Sequence, residues 1–253
     1  MYSVEYRDQV RDHILQLAAN DPRVTAGAAV GSLALGGGDR WSDLDLTFAV
    51  ADGVPVYNVL EDWTGAIRQE FGAALLFDLP SGPSIYRVFL LPGCLQFDLS
   101  FTPASKFGAT GPRFKLLFGS AVERPFLQPS SADELFGYAV HHVLRGRFCI
   151  ERGRTWQAEY WISSARDYAL NIACVARGLP AVYARGYDQL PADILNEFQG
   201  SLVRSLEREE LMRALKSVIG SLLQVSAGAA ALARELEPQL REIADGDWGT
   251  QNG

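Results

Sequence analysis

Apolar positions follow two regimes along this chain, and the change between them falls near residue 130. Up to residue 101, helical spacing alternates with short apolar runs of strand length; beyond 131 only helical spacing recurs. Residues 3–19 carry Val10, Ile14, Leu17 and Ala18 at helical spacing, with Ser3 as cap and Asn20-Asp21-Pro22 as stop. Val24–Val30 reads as a buried strand. Leu44–Val50 reads as a second, closed by Asp52-Gly53 and Pro55. A helix over 56–71 ends at Gly72, and Ala73–Leu79 follows as a third strand. Ile85–Leu91 and Cys94–Phe101 are joined by Pro92-Gly93, a hairpin signal. On the last of these strands Leu95, Phe97, Leu99 and Phe101 share one face, while Gln96, Asp98 and Ser100 share the other.

Residues 102–130 are rich in Pro, Gly, Ser and basic side chains, with a short strand at Leu116–Phe118, and read as the crossing between two domains. Lys106, Arg113 and Lys115 within it read as solvated surface charges. Ser131-Ala-Asp-Glu134 is a capping-box pattern opening a helix toward Ile150. His141 and His142 lie on that helix without a second ligand at metal spacing, and read as ordinary helix residues. The next helix, 155–177, has an apolar stripe from Ala158 to Ala176 and a polar stripe of Glu159, Ser163 and Arg166, with Asp167 and Asn171 beside it. Helices over 192–198, 201–224 and 226–243 complete the pattern. The expected architecture is an α/β (α+β) domain with a mixed sheet over 1–125, a helical bundle over 126–245 and a flexible Gly-rich tail over 246–253.

Composition narrows the function. A hydrophobic share of 48% in 253 residues suits one large or two modest cores. The net charge of −7 argues against a general nucleic-acid binder, which needs clustered Lys and Arg, and fits a cationic partner. Cys94, Cys149 and Cys174 are widely spaced and read as reduced, mostly buried thiols. With neither a leader pattern nor eighteen uninterrupted apolar residues, the expected address is the cytoplasm, away from membranes.

The chemistry concentrates in residues 29–48. An apolar run ends in Gly31-Ser32, and after a ten-residue gap Asp43-Leu-Asp45 heads a second apolar run. Carboxylates at i and i+2 of a strand share a face, about 6.5–7 Å apart at Cα, and repel unless a cation sits between them. Mg²⁺ is the natural candidate, since it takes oxygen ligands and completes its shell with water and substrate phosphates. Gly31 permits close backbone approach to a ligand, and Ser32 offers a hydroxyl and an N–H where a short helix starts, a position that favours anions. Phosphate on one side and metal on the other describe a bound nucleoside triphosphate.

Gly31-Ser32, the gap and Asp43-Leu-Asp45-Leu46 resemble the signature of the polymerase-beta-type nucleotidyltransferase superfamily, especially its small branch that adenylylates aminoglycosides and lincosamides. The resemblance implies that Asp98 is the third carboxylate, joining Asp43 and Asp45 around two Mg²⁺ ions, with ATP or another nucleoside triphosphate as co-substrate. It implies transfer of a nucleoside monophosphate to a hydroxyl of a small molecule, an aminoglycoside or lincosamide, with release of pyrophosphate. Many relatives carry an Arg soon after Gly-Ser, where this chain has Leu35 and three glycines. Either Arg40 replaces it, or the triphosphate is held differently. By the same resemblance Glu159, on the helical domain, is the general base, with Asp167 and Glu151 as lesser candidates. Arg166 contacts the triphosphate in that picture, although its spacing from Glu159 departs from the Lys one turn on that kanamycin-type relatives use. The competing readings are nucleotidylation of a protein or RNA end, and a regulatory nucleotide-binding module without chemistry. The acidic charge counts against RNA, and the expense of three clustered acids counts against a module that only binds.

Overall fold

The computed structural model describes residues 1–36, 38–126, 128–246 and 248. The chain forms two compact units, Met1–Leu127 and Gln128–Gly253. Of the expected tail only Gly246 and Trp248 lie within the described residues.

In the N-terminal unit, helix α1 (Val4–Asn20) starts where Ser3 Oγ accepts the Tyr6 N–H. Strand β1 (Val24–Val30) follows, then β2 (Leu44–Val50), helix α2 (Val56–Phe71), and strands β3 (Ala74–Ser81), β4 (Ser84–Leu91), β5 (Leu95–Pro103) and β6 (Phe114–Phe118). They form one sheet in the order β3-β4-β5-β2-β1-β6, in which β2 and β5 run parallel and every other pair is antiparallel. The sheet is therefore mixed, as expected. Strand β6 contains the short strand expected at Leu116–Phe118 and starts two residues earlier; its pairing is what the sequence pattern does not foresee. The segment read as a crossing returns to pair with β1, Ala29 facing Lys115 and Val30 facing Phe114.

Alternation along β2 and β5 sends Leu44, Leu46 and Phe48, with Phe97, Leu99 and Phe101, to one face. There they bury against Val10 and Ile14 of α1 and Leu60, Trp63 and Ile67 of α2. Arg87 reaches the same side of the sheet, donating to Asp78 and to Thr64 Oγ1 and pairing with Glu61. Asp45, Thr47, Asp98 and Ser100 take the opposite face. Part of that face is closed by Ala26, Ala28 and Ala49 packed with Phe107, and by two hydroxyl pairs, Ser100 with Thr47 and Ser84 with Thr102. Each pair gives its buried hydroxyls a hydrogen-bond partner.

The C-terminal unit is all helical: α3 (Ala132–Glu151), α4 (Thr155–Val175), α5 (Ala192–Gln199), α6 (Arg208–Val225) and α7 (Ala230–Asp245). Ser131 caps α3 by accepting the Glu134 N–H at 3.1 Å. Helix α6 begins at Arg208, not near 201 as its apolar spacing predicts. The intervening Ser201–Glu207 turns are tied down instead by Arg213, which donates to the carbonyls of Gly200 and Leu202. Phe136, Val143, Ile162, Ile172, Leu215, Val218, Leu222 and Leu240 make the core. Arg208–Asp245 is long and apolar enough by composition to cross a membrane, but its buried side chains are those of this core.

Candidate active site

The site is built from the ends of three adjacent strands. Asp45 stands on β2 opposite Asp98 on β5, and Asp43 immediately precedes β2. Carboxylate oxygens of Asp43, Asp45 and Asp98 all lie within 4.8 Å of one another, and all three residues are partly buried. Burial pushes the Asp98 carboxyl above the usual carboxylate range; the Gln96 amide, donating to Oδ1 at 2.9 Å, works against that, and the charge of Asp43 adds to it. An all-oxygen, all-anionic donor set of this kind suits a hard divalent cation such as Mg²⁺.

Gly31 ends β1 beside this cluster with φ of +70°, a conformation glycine adopts freely. A Cβ there would collide with Asp45 Oδ2, so the glycine serves the acid cluster directly as well as the turn. Ser32 follows, and its Oγ is buried without a hydrogen-bond partner. The helix expected after it is a single three-residue turn, Leu33–Leu35, and Ser32 makes no side-chain cap. A helix dipole is thus not on offer here. What remains for an anion is the unsatisfied hydroxyl and the turn's backbone.

The loop from Gly38 to Ser42 is held by α1. Arg7, 4% exposed, donates through Nη1 to the carbonyls of Asp39 at 2.7 Å and Ser42 at 2.9 Å. The Tyr2 hydroxyl donates to the same Ser42 carbonyl at 3.0 Å, and the Tyr2 N–H to Gly93 O at 2.8 Å. These contacts fix the residue just before Asp43. Sequence reasoning missed both residues, yet a signal was present: Arg7 sits at helical spacing with Val10, Ile14 and Ala18, where a charge is tolerated only if bonded. A cavity of about 340 Å³ opens beside Asp43, lined also by Tyr2, Trp41, Cys94 and Gln96. Cys94 is exposed on this rim, unlike the buried Cys149 and Cys174.

The structure therefore brings together Gly31, Ser32, Asp43, Asp45 and Asp98. Arg40 lies with its guanidinium 4.3 Å from the Trp41 ring centre, exposed to solvent. Glu159 and Arg166 belong to the helical unit. There Ser163 Oγ donates to Glu159 Oε1 at 2.7 Å, and Arg166 pairs with Asp167 at 3.2 Å.

No protein-family model matches the chain, and no curated protein does. Among solved structures it is similar to an aminoglycoside 6-adenyltransferase from Bacillus subtilis, at 14% identity and a TM-score of 0.39 over 92% of this chain and 96% of that one. It is also similar to a nucleotidyltransferase-like protein from Exiguobacterium sibiricum, at 13% identity and a TM-score of 0.42 over 92% and 80% of the two chains.

Proposed function

We propose that this protein transfers a nucleoside monophosphate, AMP from ATP, to a hydroxyl of a small molecule, an aminoglycoside or lincosamide antibiotic, and releases pyrophosphate. The observation that carries the reading is the convergence of Asp43, Asp45 and Asp98 within 4.8 Å of one another, next to a buried Ser32 hydroxyl that lacks a partner. Three carboxylates held so close cost stability unless a cation neutralises them, and the unsatisfied hydroxyl asks for an acceptor such as a phosphate oxygen. Asp43, Asp45 and Asp98 would hold two Mg²⁺ ions, which when bound stabilise the attacking and leaving oxygens of an in-line displacement. Ser32 and the turn after Gly31 hold the departing phosphates, and Arg40 and Arg166 are candidates to add positive charge. Glu159 takes the proton of the acceptor hydroxyl. Its bond from Ser163 fixes one carboxylate oxygen and leaves the other to accept. The proposal includes a cytoplasmic location, in keeping with three free cysteines.

The test is incubation of the full chain with ATP, Mg²⁺ and a panel of aminoglycosides and lincosamides, with each acceptor weighed by mass spectrometry. An acceptor heavier by one AMP, made by the native chain and not by Asp45→Asn, supports the reading. No adduct on any acceptor, with folded protein and bound Mg²⁺, refutes it.

A further inference from the structure

We infer that the acceptor carries an alkyl or aryl group, and that this group lies on an apolar shelf formed by β4 and β3 beside the acid cluster. The inference rests on the transferase reading for the position of the reacting hydroxyl, and on sheet register for the shelf. Directly opposed residues in a sheet share a face. Reading across the strands, Asp45 faces Asp98, Asp98 faces Val88, and Val88 faces Phe77. The neighbouring rows continue from Gln96 to Leu90 and from Ser100 to Tyr86 to Leu79. The carboxylate face thus runs without a break into Phe77, Leu79, Tyr86 and Leu90, arranged around a buried Val88. None of the site-facing positions on β3 and β4 between Ala74 and Leu90 is charged. The charged residues of these strands, Asp78 and Arg87, pair with each other on the other face.

The outer part of this shelf is exposed, while Tyr86 is half-buried with the Arg124 charge near it. Phe77 is 55% exposed, Leu79 53% and Leu90 38%. Contiguous exposed apolar surface beside a polar site marks a place where a partner's apolar surface is buried. The direction of the reaction selects which reactant. Ser32 follows β1, on the β1 side of Asp45, whereas β4 and β3 lie beyond Asp98 on the opposite side. In an in-line displacement the leaving and attacking oxygens stand on opposite sides of the phosphorus. With the departing phosphates toward Ser32, the attacking hydroxyl arrives from the side of Asp98, and the body of the acceptor extends over β4 and β3. At about 4.8 Å between strands, Phe77 lies roughly 10 Å from Asp98, within the span of a drug-sized molecule. A polycation finds no acid on this shelf, so of the two acceptor classes proposed above the shelf favours an amphipathic alcohol of the lincosamide kind over an aminoglycoside.

The experiment is calorimetric titration of the full chain, without nucleotide, with methyl β-D-glucoside and n-hexyl β-D-glucoside. The same titrations are run on the double variant Phe77→Ser, Leu79→Ser, whose replaced side chains are exposed. The hexyl compound should bind the native chain at least about tenfold more tightly. The double variant should lose that preference, keep its circular dichroism and bind Mn²⁺ as the native chain does. Equal affinities, or no measurable binding of either compound, overturn the inference, as does a preference that survives in the variant. A double variant that alters only the sedimentation coefficient assigns the shelf to contact between copies, and overturns it too. Hexyl preference without nucleotide transfer to any acceptor leaves the shelf standing and removes the transferase reading. Transfer without the preference does the reverse.

Discussion

Replacing Asp98 by Asn should stabilise the metal-free protein while abolishing its response to Mg²⁺. The three carboxylates lie within 4.8 Å of one another. At that separation two unit charges repel by about 3 kcal/mol at an effective dielectric near 20, and by under about 1 kcal/mol in bulk water. Partly buried Asp98 interacts with two such neighbours, and its carboxyl is already raised chiefly by burial, with the charge of Asp43 adding to it. Neutralising it should therefore return on the order of 1–2 kcal/mol, a rise of roughly 3–6 °C in the melting temperature of this unit. The Asn oxygen can still accept from Gln96, so packing is kept. With Mg²⁺ the order reverses: a ligand at a hundred times its dissociation constant adds about 2.7 kcal/mol to the native protein and little to the variant. The assay is differential scanning fluorimetry at pH 7 in EDTA and across a Mg²⁺ series. A folded variant that melts at or below the native temperature in EDTA, or that gains as much from Mg²⁺, would refute the account of Asp98 as an electrostatically loaded metal ligand.

Gly31→Ala should lose Mg²⁺-dependent turnover and about 1–2 kcal/mol of stability, because the positive φ and the clash with Asp45 fall on the same residue; normal turnover in Gly31→Ala would show the turn to be tolerant. Arg7→Met should weaken Mn²⁺ binding about tenfold by freeing the Asp39 and Ser42 carbonyls, with Arg7→Lys recovering part of it; an unchanged binding isotherm would remove Arg7 from the site. Asp21, its side chain 9% exposed, is held to about pKa 2 by hydrogen bonds from Arg23 and Trp63. A lowered carboxyl stabilises above its ordinary pKa near 4 and ceases to as pH falls toward 2, so Asp21→Asn should cost up to about 2 kcal/mol at pH 7 and progressively less through that window in urea titrations; a cost independent of pH would make the contribution one of packing. Glu159→Gln should lower turnover by about 10² with acceptor affinity little changed; full turnover would pass the proton to Asp98 or solvent.

How much of this was legible in the sequence depends on how local each determinant is. The i, i+2 spacing of Asp43 and Asp45 and the alternation around Asp98 are properties of single strands, and both were readable. The pairing of Asp45 with Asp98 was not, since it depends on β2 and β5 becoming parallel neighbours across a crossover that contains α2, β3 and β4. Strand β6 was half legible: Leu116–Phe118 has strand character, but its partner β1 lies about ninety residues back, and composition there suggests a linker. The start of α6 was misread because Leu202, Val203 and Leu206 continue an apolar spacing, while Arg213 ties the preceding turns in place, a tertiary contact that propensity cannot register.

The same distinction explains why the acid cluster and the apolar shelf differ in legibility. Charge at the cluster is unusual enough to be noticed one residue at a time, because acids heading apolar runs contradict their surroundings. The shelf contradicts nothing in sequence: Phe77, Leu79, Val88 and Leu90 read as ordinary strand residues with a core to fill. Only the sheet shows that β3 is an edge strand, exposed along its whole length, and that its site-facing side chains share a surface with Asp98. Long apolar edge strands invite unwanted pairing and are normally blunted with charge. Here the charge that β3 does carry, Asp78, turns away to Arg87, leaving the face toward the carboxylates without a charge. Keeping that face bare has a cost in solubility, and a ligand that uses it gives the arrangement a physical reason.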